Sequence, residues 1–163
     1  YSVMSEGIPE RVVYDDTTPT EILIKSGRQG QKNAKGYYSY TPSKGGRPEK
    51  TIDKDSIELL ESVAGKHREI DPQTIIDRLL LPLAIEMNHC LDEGIVDTAI
   101  EADMALIWGV GFPPFRGGIC RWMDEQGIAN ICQRADYYSD IAQLYQPTES
   151  MRKMATTVSK FYP

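Results

Sequence analysis

The sequence is short of the side chains from which most catalytic sites are made. It has only two histidines, His67 and His89, in 163 residues. His67 lies in Lys66-His67-Arg68-Glu69, a charged loop that reads as solvated surface. His89 precedes Cys90, and adjacent helical residues point about 100° apart, so the two make no nucleophile pair. His89 therefore reads as a helix-face residue. The three cysteines, Cys90, Cys120 and Cys132, are an odd number without a CxxC pair. That argues against a disulfide framework or a metal site, and no metal is expected. Cys90 and Cys120 have mainly apolar or small neighbours, as buried thiols do, and a reducing, cytoplasmic compartment is the expectation.

Other absences narrow the function further. The net charge is −6 and no stretch is strongly basic, so no nucleic-acid surface is expected. The densest basic run, Lys25 to Lys35, reads as a solvated loop. Its Gly27-Arg28-Gln29-Gly30 is too little for a phosphate site. No apolar run approaches the roughly 18 residues of a membrane span. The first residues lack the charged and apolar regions of a signal peptide, and Tyr1 reads as a fragment boundary. There is no GxGxxG after a strand, no P-loop, no GxSxG and no HExxH, so dinucleotide binding, nucleotide hydrolysis, α/β-hydrolase and zincin chemistry find no motif here.

What is present is helix punctuation. Val3 to Glu6 ends against Gly7. Thr18-Pro19 offers an N-cap and a first-turn proline for a helix stopping at Gly27. Tyr37 to Tyr40 is an aromatic-rich extended segment, and Pro42 to Pro48 has turn and linker chemistry. A short helix is expected over Asp53 to Ala64, with Ile57, Leu60 and Val63 on one side and Gly65 as its stop. The strongest pattern follows Asp71-Pro72 and ends at Gly94. Ile75, Ile76, Leu79, Leu80, Leu83, Met87, Cys90 and Leu91 recur there at three- and four-residue spacing, which predicts a wide buried face with a kink at Pro82. Thr98 and Glu101 form a capping-box signature for a helix ending at Trp108 and Gly109. A rigid Gly/Pro loop over 111–118 leads to short helices at Ile119 to Gln126, Ile128 to Tyr138, Asp140 to Tyr145 and Glu149 to Lys160. The fold class is all-α and multi-helical, with a small extended segment near residues 37–41.

Few residues stand out as candidate sites. Glu86, Asp92, Glu93, Asp97, Glu101 and Asp103 are numerous, but nothing in the sequence pairs them in one place. Asp77, inside an apolar run, reads as a first-turn acid favoured by the helix dipole. Trp108 reads as a core aromatic; the alternative is that it lines a ligand groove beside the Phe112-Pro113-Pro114-Phe115 loop.

Several segments together carry a resemblance. They are Ile76 to Pro82, Cys90 to Ile95, Glu101 to Ala105, Gly111 to Phe115, Gln31 to Tyr40 and Phe161-Tyr162-Pro163. In them the chain resembles the C-terminal helical units of 3-hydroxyacyl-CoA dehydrogenases, and more closely those of multifunctional α subunits of bacterial fatty-acid oxidation complexes. The resemblance implies that residues 1–41 end a first helical unit, 42–65 link, and 66–163 form a second, non-catalytic unit. It implies that the enoyl-CoA hydratase/isomerase domain and the NAD-binding domain lie upstream, so that NAD belongs to the parent enzyme and no cofactor to this segment. The implied partners are those upstream domains, an acyl-CoA substrate and a thiolase β subunit.

Three positions depart from the family pattern. The catalytic helical unit carries an Asn before Arg-Leu-Leu; here Asp77 holds that place, as in a duplicated copy that lost its task. Family members often have Gly where this chain has Ala34. The position of Trp108 is usually Tyr and associated with substrate binding. The expectation is a supporting unit that is inactive alone and self-associates through an uncovered apolar face. The rival readings are an independent helical protein-interaction module, or an acyl-CoA binding domain built on Trp108.

Overall fold

Four helices begin with the same local chemistry. The side-chain oxygens of Thr18, Asp71, Thr98 and Thr148 accept from the backbone N–H three residues on, at 3.3, 2.8, 3.2 and 3.2 Å. Each satisfies a donor that the first helical turn cannot. The computed structural model describes residues 6–9, 11, 18–64 and 68–162. These form two compact units dividing between Glu69 and Ile70, with Arg11 belonging to the second. Among the described residues no helix is long and apolar enough to cross a membrane. The expected stops at Gly65 and before Gly7 fall largely on residues outside those described.

The first unit holds α1 (Pro19–Lys25), a 3-10 turn (Gln31–Asn33), β1 (Tyr38–Thr41), β2 (Glu49–Ile52) and α2 (Lys54–Ala64). The strands pair antiparallel, Tyr38 opposite Ile52 and Thr41 opposite Glu49. The turn chemistry of Pro42 to Pro48 thus belongs to the loop of a hairpin. Leu23 is the unit's one buried apolar side chain among the described residues, so polar contacts carry much of the cohesion. The centre is Asp53, which is buried. It takes two bonds from Arg28, at 3.0 and 3.2 Å, and one from Ser39 Oγ at 2.6 Å, and it accepts from the Ser56 N–H at 3.0 Å. One carboxylate thereby joins the loop after α1, the first strand and the start of α2. The Arg28 hydrogen bonds first, then those of Ser39 and Ser56, hold that carboxyl far below the usual carboxylate range.

The second unit comprises α3 (Pro72–Asp92), α4 (Ala99–Val110), a 3-10 turn (Pro114–Arg116), α5 (Ile119–Gln126), α6 (Ile128–Tyr138), a 3-10 turn (Gln143–Tyr145) and α7 (Glu149–Thr157). Its core gathers Leu81, Ile85, Ile119, Trp122, Met123, Ile131 and Met151. α3 runs through Pro82 to Asp92. The face expected to be buried holds from Leu80 onward, where Met87 is buried and Leu80, Leu83, Cys90 and Leu91 pack against the core. It is corrected before that: Ile75, Ile76 and Leu79 are exposed, while Leu81, Ala84, Ile85 and Asn88 point inward. In the first half of this helix Ile75, Ile76, Leu79, Leu80 and Leu81 point in several directions, so spacing alone does not select a side. Inward polar anchors do. Asn88 Nδ2 reaches Thr148 Oγ1 at 2.7 Å and Ser150 Oγ at 2.6 Å, pinning α7 to α3.

Two helix ends also differ from expectation. α4 passes through Gly109 and stops at Gly111, whose φ of 75° supplies the left-handed cap. The segment Asp140 to Tyr145 forms only the short 3-10 turn, and the last helix ends at Thr157 with Val158 left-handed.

Candidate functional site

Asp77 is the sixth residue of α3 and is only 6% exposed. It is therefore not a first-turn acid, and a helix dipole has little hold there because the effect fades within a turn. A guanidinium meets its charge instead. Arg134 of α6 donates from Nε to Asp77 Oδ2 at 3.2 Å and from Nη2 to Oδ1. Gln73 adds a bond to Oδ1 at 2.6 Å. Arg134 also donates to Gln126 Oε1 at 3.1 Å and lies 5.9 Å from the Trp122 ring centre. The position is a closed ion pair with both carboxylate oxygens in use. Three donors converge on it, two at Oδ1 and one at Oδ2, and the arrangement is one that holds α3 to α6.

Trp108 is 79% exposed, which corrects the expectation of a core aromatic. Trp122, on α5, fills that part instead at 3% exposure. On α4, Ile100, Met104 and Trp108 follow each other at four-residue intervals and are all exposed, so they line one stripe of the helix. Val110 and Phe115 are exposed just beyond it, and Phe112 is buried. Asp77 thus faces the core and Trp108 faces solvent; the structure does not bring the two together into one pocket.

The thiols are unsuited to nucleophilic work. Burial pushes Cys120 far above the ordinary thiol range, with the Asp103 charge adding to it, and burial also raises Cys90 and Cys132. Such sulfurs stay protonated at neutral pH. All three cysteines are free. Among the described residues, no group of three or more His, Cys, Asp or Glu side chains converges as metal ligands. His89 is half-buried on α3, and His67 lies outside the described residues.

The side chain that sequence reading passed over is Asp103. It is 2% exposed, on α4. It accepts from the backbone N–H of Cys120 at 2.7 Å and of Arg121 at 3.2 Å, so it caps α5 from another helix. The Tyr162 hydroxyl donates to its Oδ2 at 2.7 Å. Asp124 takes the N–H groups of Phe161 and Tyr162, both at 2.9 Å, and Arg121 stacks over the Tyr162 ring at 4.2 Å. The end of the chain is thereby latched onto the α4–α5 corner. The available signal was the pair Gly117-Gly118 ahead of a helix lacking its own capping side chain. Such a helix needs a donor sink from elsewhere.

No protein-family model matches the chain. Over 160 residues, 98% of the chain, it is 42% identical to fatty acid oxidation complex subunit alpha of Pseudomonas paraeruginosa (strain PA7). The same identity and coverage hold for that subunit of Pseudomonas putida (strain F1), and 41% identity for that of Ectopseudomonas oleovorans. The chain spans 22% of the length of these relatives.

Proposed function

We propose that this chain, homologous to a C-terminal part of fatty acid oxidation complex α subunits, is a supporting helical segment of a multifunctional β-oxidation enzyme. In this reading it does no chemistry alone. It braces an NAD-dependent 3-hydroxyacyl-CoA dehydrogenase site carried by the upstream polypeptide, in an enzyme that also hydrates 2-enoyl-CoA and works with a thiolase β subunit.

The observation that carries the reading is the uncovered apolar surface of the second unit. Leu79 on α3 and Trp108 on α4 are 67% and 79% exposed, and Ile75, Ile76, Ile100 and Met104 lie exposed on the same two helices. A chain of this size does not ordinarily leave whole helix stripes apolar unless something covers them. The closed Asp77–Arg134 pair supports the same reading, since the place of the family's active-site Asn is taken by a group spent on packing.

A coupled assay tests it, following NADH formation from 3-hydroxybutyryl-CoA. Three proteins are compared: this chain, the chain extended upstream through the dinucleotide-binding domain, and the extended chain carrying Leu79→Ser and Trp108→Ser. Activity is expected only in the extended proteins, and lower in the substituted one. An extended chain whose activity and melting temperature ignore both substitutions would remove the supporting role. Turnover by this chain alone would overturn the reading entirely.

A further inference from the structure

The first unit holds a cavity of about 480 Å³ that none of the foregoing uses. Leu23, Ile24 and Tyr40 give it an apolar lining, and Arg28 and Lys32 supply positive charge. The volume lies in the range of about 300–1,000 Å³ of small-molecule sites, and such sites join apolar walls to a few charged groups. Its setting is electrically distinct from the rest of the molecule. Residues 18–48 contain six basic side chains and one acidic one, net +5, in a chain whose total is −6.

The two cations are not equivalent. Arg28 is committed, with both terminal nitrogens on Asp53 and one also on the Gly36 carbonyl at 3.2 Å. Lys32 makes no ion pair among the described residues. Backbone donors at the loop are likewise occupied: the Gly30 N–H bonds Lys35 O at 2.7 Å and the Gln29 N–H bonds Asn33 Oδ1 at 3.1 Å. An anion here is held by a side chain and not by a glycine-loop cradle. We propose that this cavity binds a small amphipathic anion, a single carboxylate or phosphate head on an apolar tail, with the head on Lys32 and the tail against Leu23, Ile24 and Tyr40.

The test is a titration of the chain with decanoate, decyl phosphate and decanol below their aggregation concentrations, read by amide chemical shifts. Wild type, Lys32→Gln and Lys44→Gln are compared; the last removes the same charge from the hairpin loop, outside the cavity lining. Saturable one-to-one binding of the anions is expected, with shifts confined to residues 20–40. Lys32→Gln should weaken it by about threefold to fivefold, the scale of one partly exposed charge contact, while Lys44→Gln leaves it within error. The tighter of the two anions identifies the head group. Equal losses from both lysine variants would reduce the effect to diffuse attraction. Decanol binding as tightly as decanoate, or shifts along Ile100 to Trp108 instead, would overturn the proposal. So would loss of binding when the chain is extended upstream, since the cavity would then be a covered surface.

Discussion

A Cβ atom built on Gly118 would lie 2.1 Å from the carboxyl carbon of Asp103. The backbone comes this close because the carboxylate must reach the N–H groups of Cys120 and Arg121 across the turn. Gly118 also has φ 112°, where L side chains are strained. Gly118→Ala should therefore cost about 3 kcal/mol or more, combining lost capping, a displaced buried carboxylate and backbone strain. Gly111→Ala is the comparison. Its φ is 75° but nothing lies within 4 Å, so only the left-handed cost of about 1–2 kcal/mol applies. Urea unfolding followed by Trp122 emission gives both values; equal losses would mean that the close approach does not matter.

The same carboxylate takes the hydroxyl of Tyr162, and this links the end of the chain to the core. Burial first, and Asp103 second, raise the phenol well above its ordinary value of 10. A raised phenol stabilises the fold fully below the unfolded value, and that contribution declines as pH rises above about 10. Tyr162→Phe should cost about 1.5–3 kcal/mol at neutral pH, as for a hydrogen bond to a charged group, and should flatten the alkaline decline. Melts at pH 7 and pH 11 check both parts.

How far the sequence disclosed these features depended on how local their cause was. The starts at Thr18, Asp71 and Thr98 were legible because a cap and its donor lie three residues apart. The hairpin was half legible. Tyr38 to Thr41 has strand composition, but the partner Glu49 to Ile52 is fully exposed and carries no alternating apolar signal. The inward side of α3 was hidden because Ile75, Ile76, Leu79, Leu80 and Leu81 point in several directions; Arg134, 57 residues beyond Asp77, decides it. Trp108 was misplaced for the same reason, since distant helices leave room in the core for Trp122 and not for it. Asp103 looked like one carboxylate among many until the fold brought Gly118 against it.

Among the described residues, two L residues hold left-handed backbone, Ala34 at φ 61° and Val158 at φ 53°. The Ala34 carbonyl accepts from the Tyr40 N–H at 3.0 Å. Ala34→Gly relieves about 1–2 kcal/mol of left-handed cost against about 0.5–1 kcal/mol of added chain entropy, so the first unit should gain up to about 1.5 kcal/mol. Val158 is β-branched and 84% exposed, so Val158→Gly gives up little burial and should stabilise the second unit by more. Denaturation midpoints from hairpin and α7 amide signals separate the two; a loss at either site refutes the assigned strain.

Asp53 gives the first unit an acid limit. Its folded pKa is depressed from 3.8 by Arg28, Ser39 and Ser56. A depressed carboxylate stabilises above its unfolded value and ceases to do so as pH falls toward its folded one. Hairpin stability should be level from neutral to about pH 5 and should fall steadily below about pH 4. Asp53→Asn should be less stable at pH 7 and should lose that slope, while the second unit's acid response stays unchanged. Urea titrations of hairpin amide signals at pH 7, 5, 4 and 3 measure this; an unaltered slope in the variant would place the acid sensitivity elsewhere.

The exposed stripe of α4 makes the last prediction. Trp108 in water and Trp122 in the core should differ in emission, and iodide should quench only the first. Without a covering polypeptide, Leu79 and Trp108 present apolar area that water disfavours by about 25 cal/mol per Å². Self-association through that area should therefore raise the sedimentation mass with concentration and protect Trp108 from iodide in step. Leu79→Ser with Trp108→Ser should restore a monomer without lowering the melting temperature, because neither side chain is part of the core. A monomer at high concentration in the unsubstituted chain would mean that the stripe is tolerated as surface, and the supporting role drawn from it would lose its main argument.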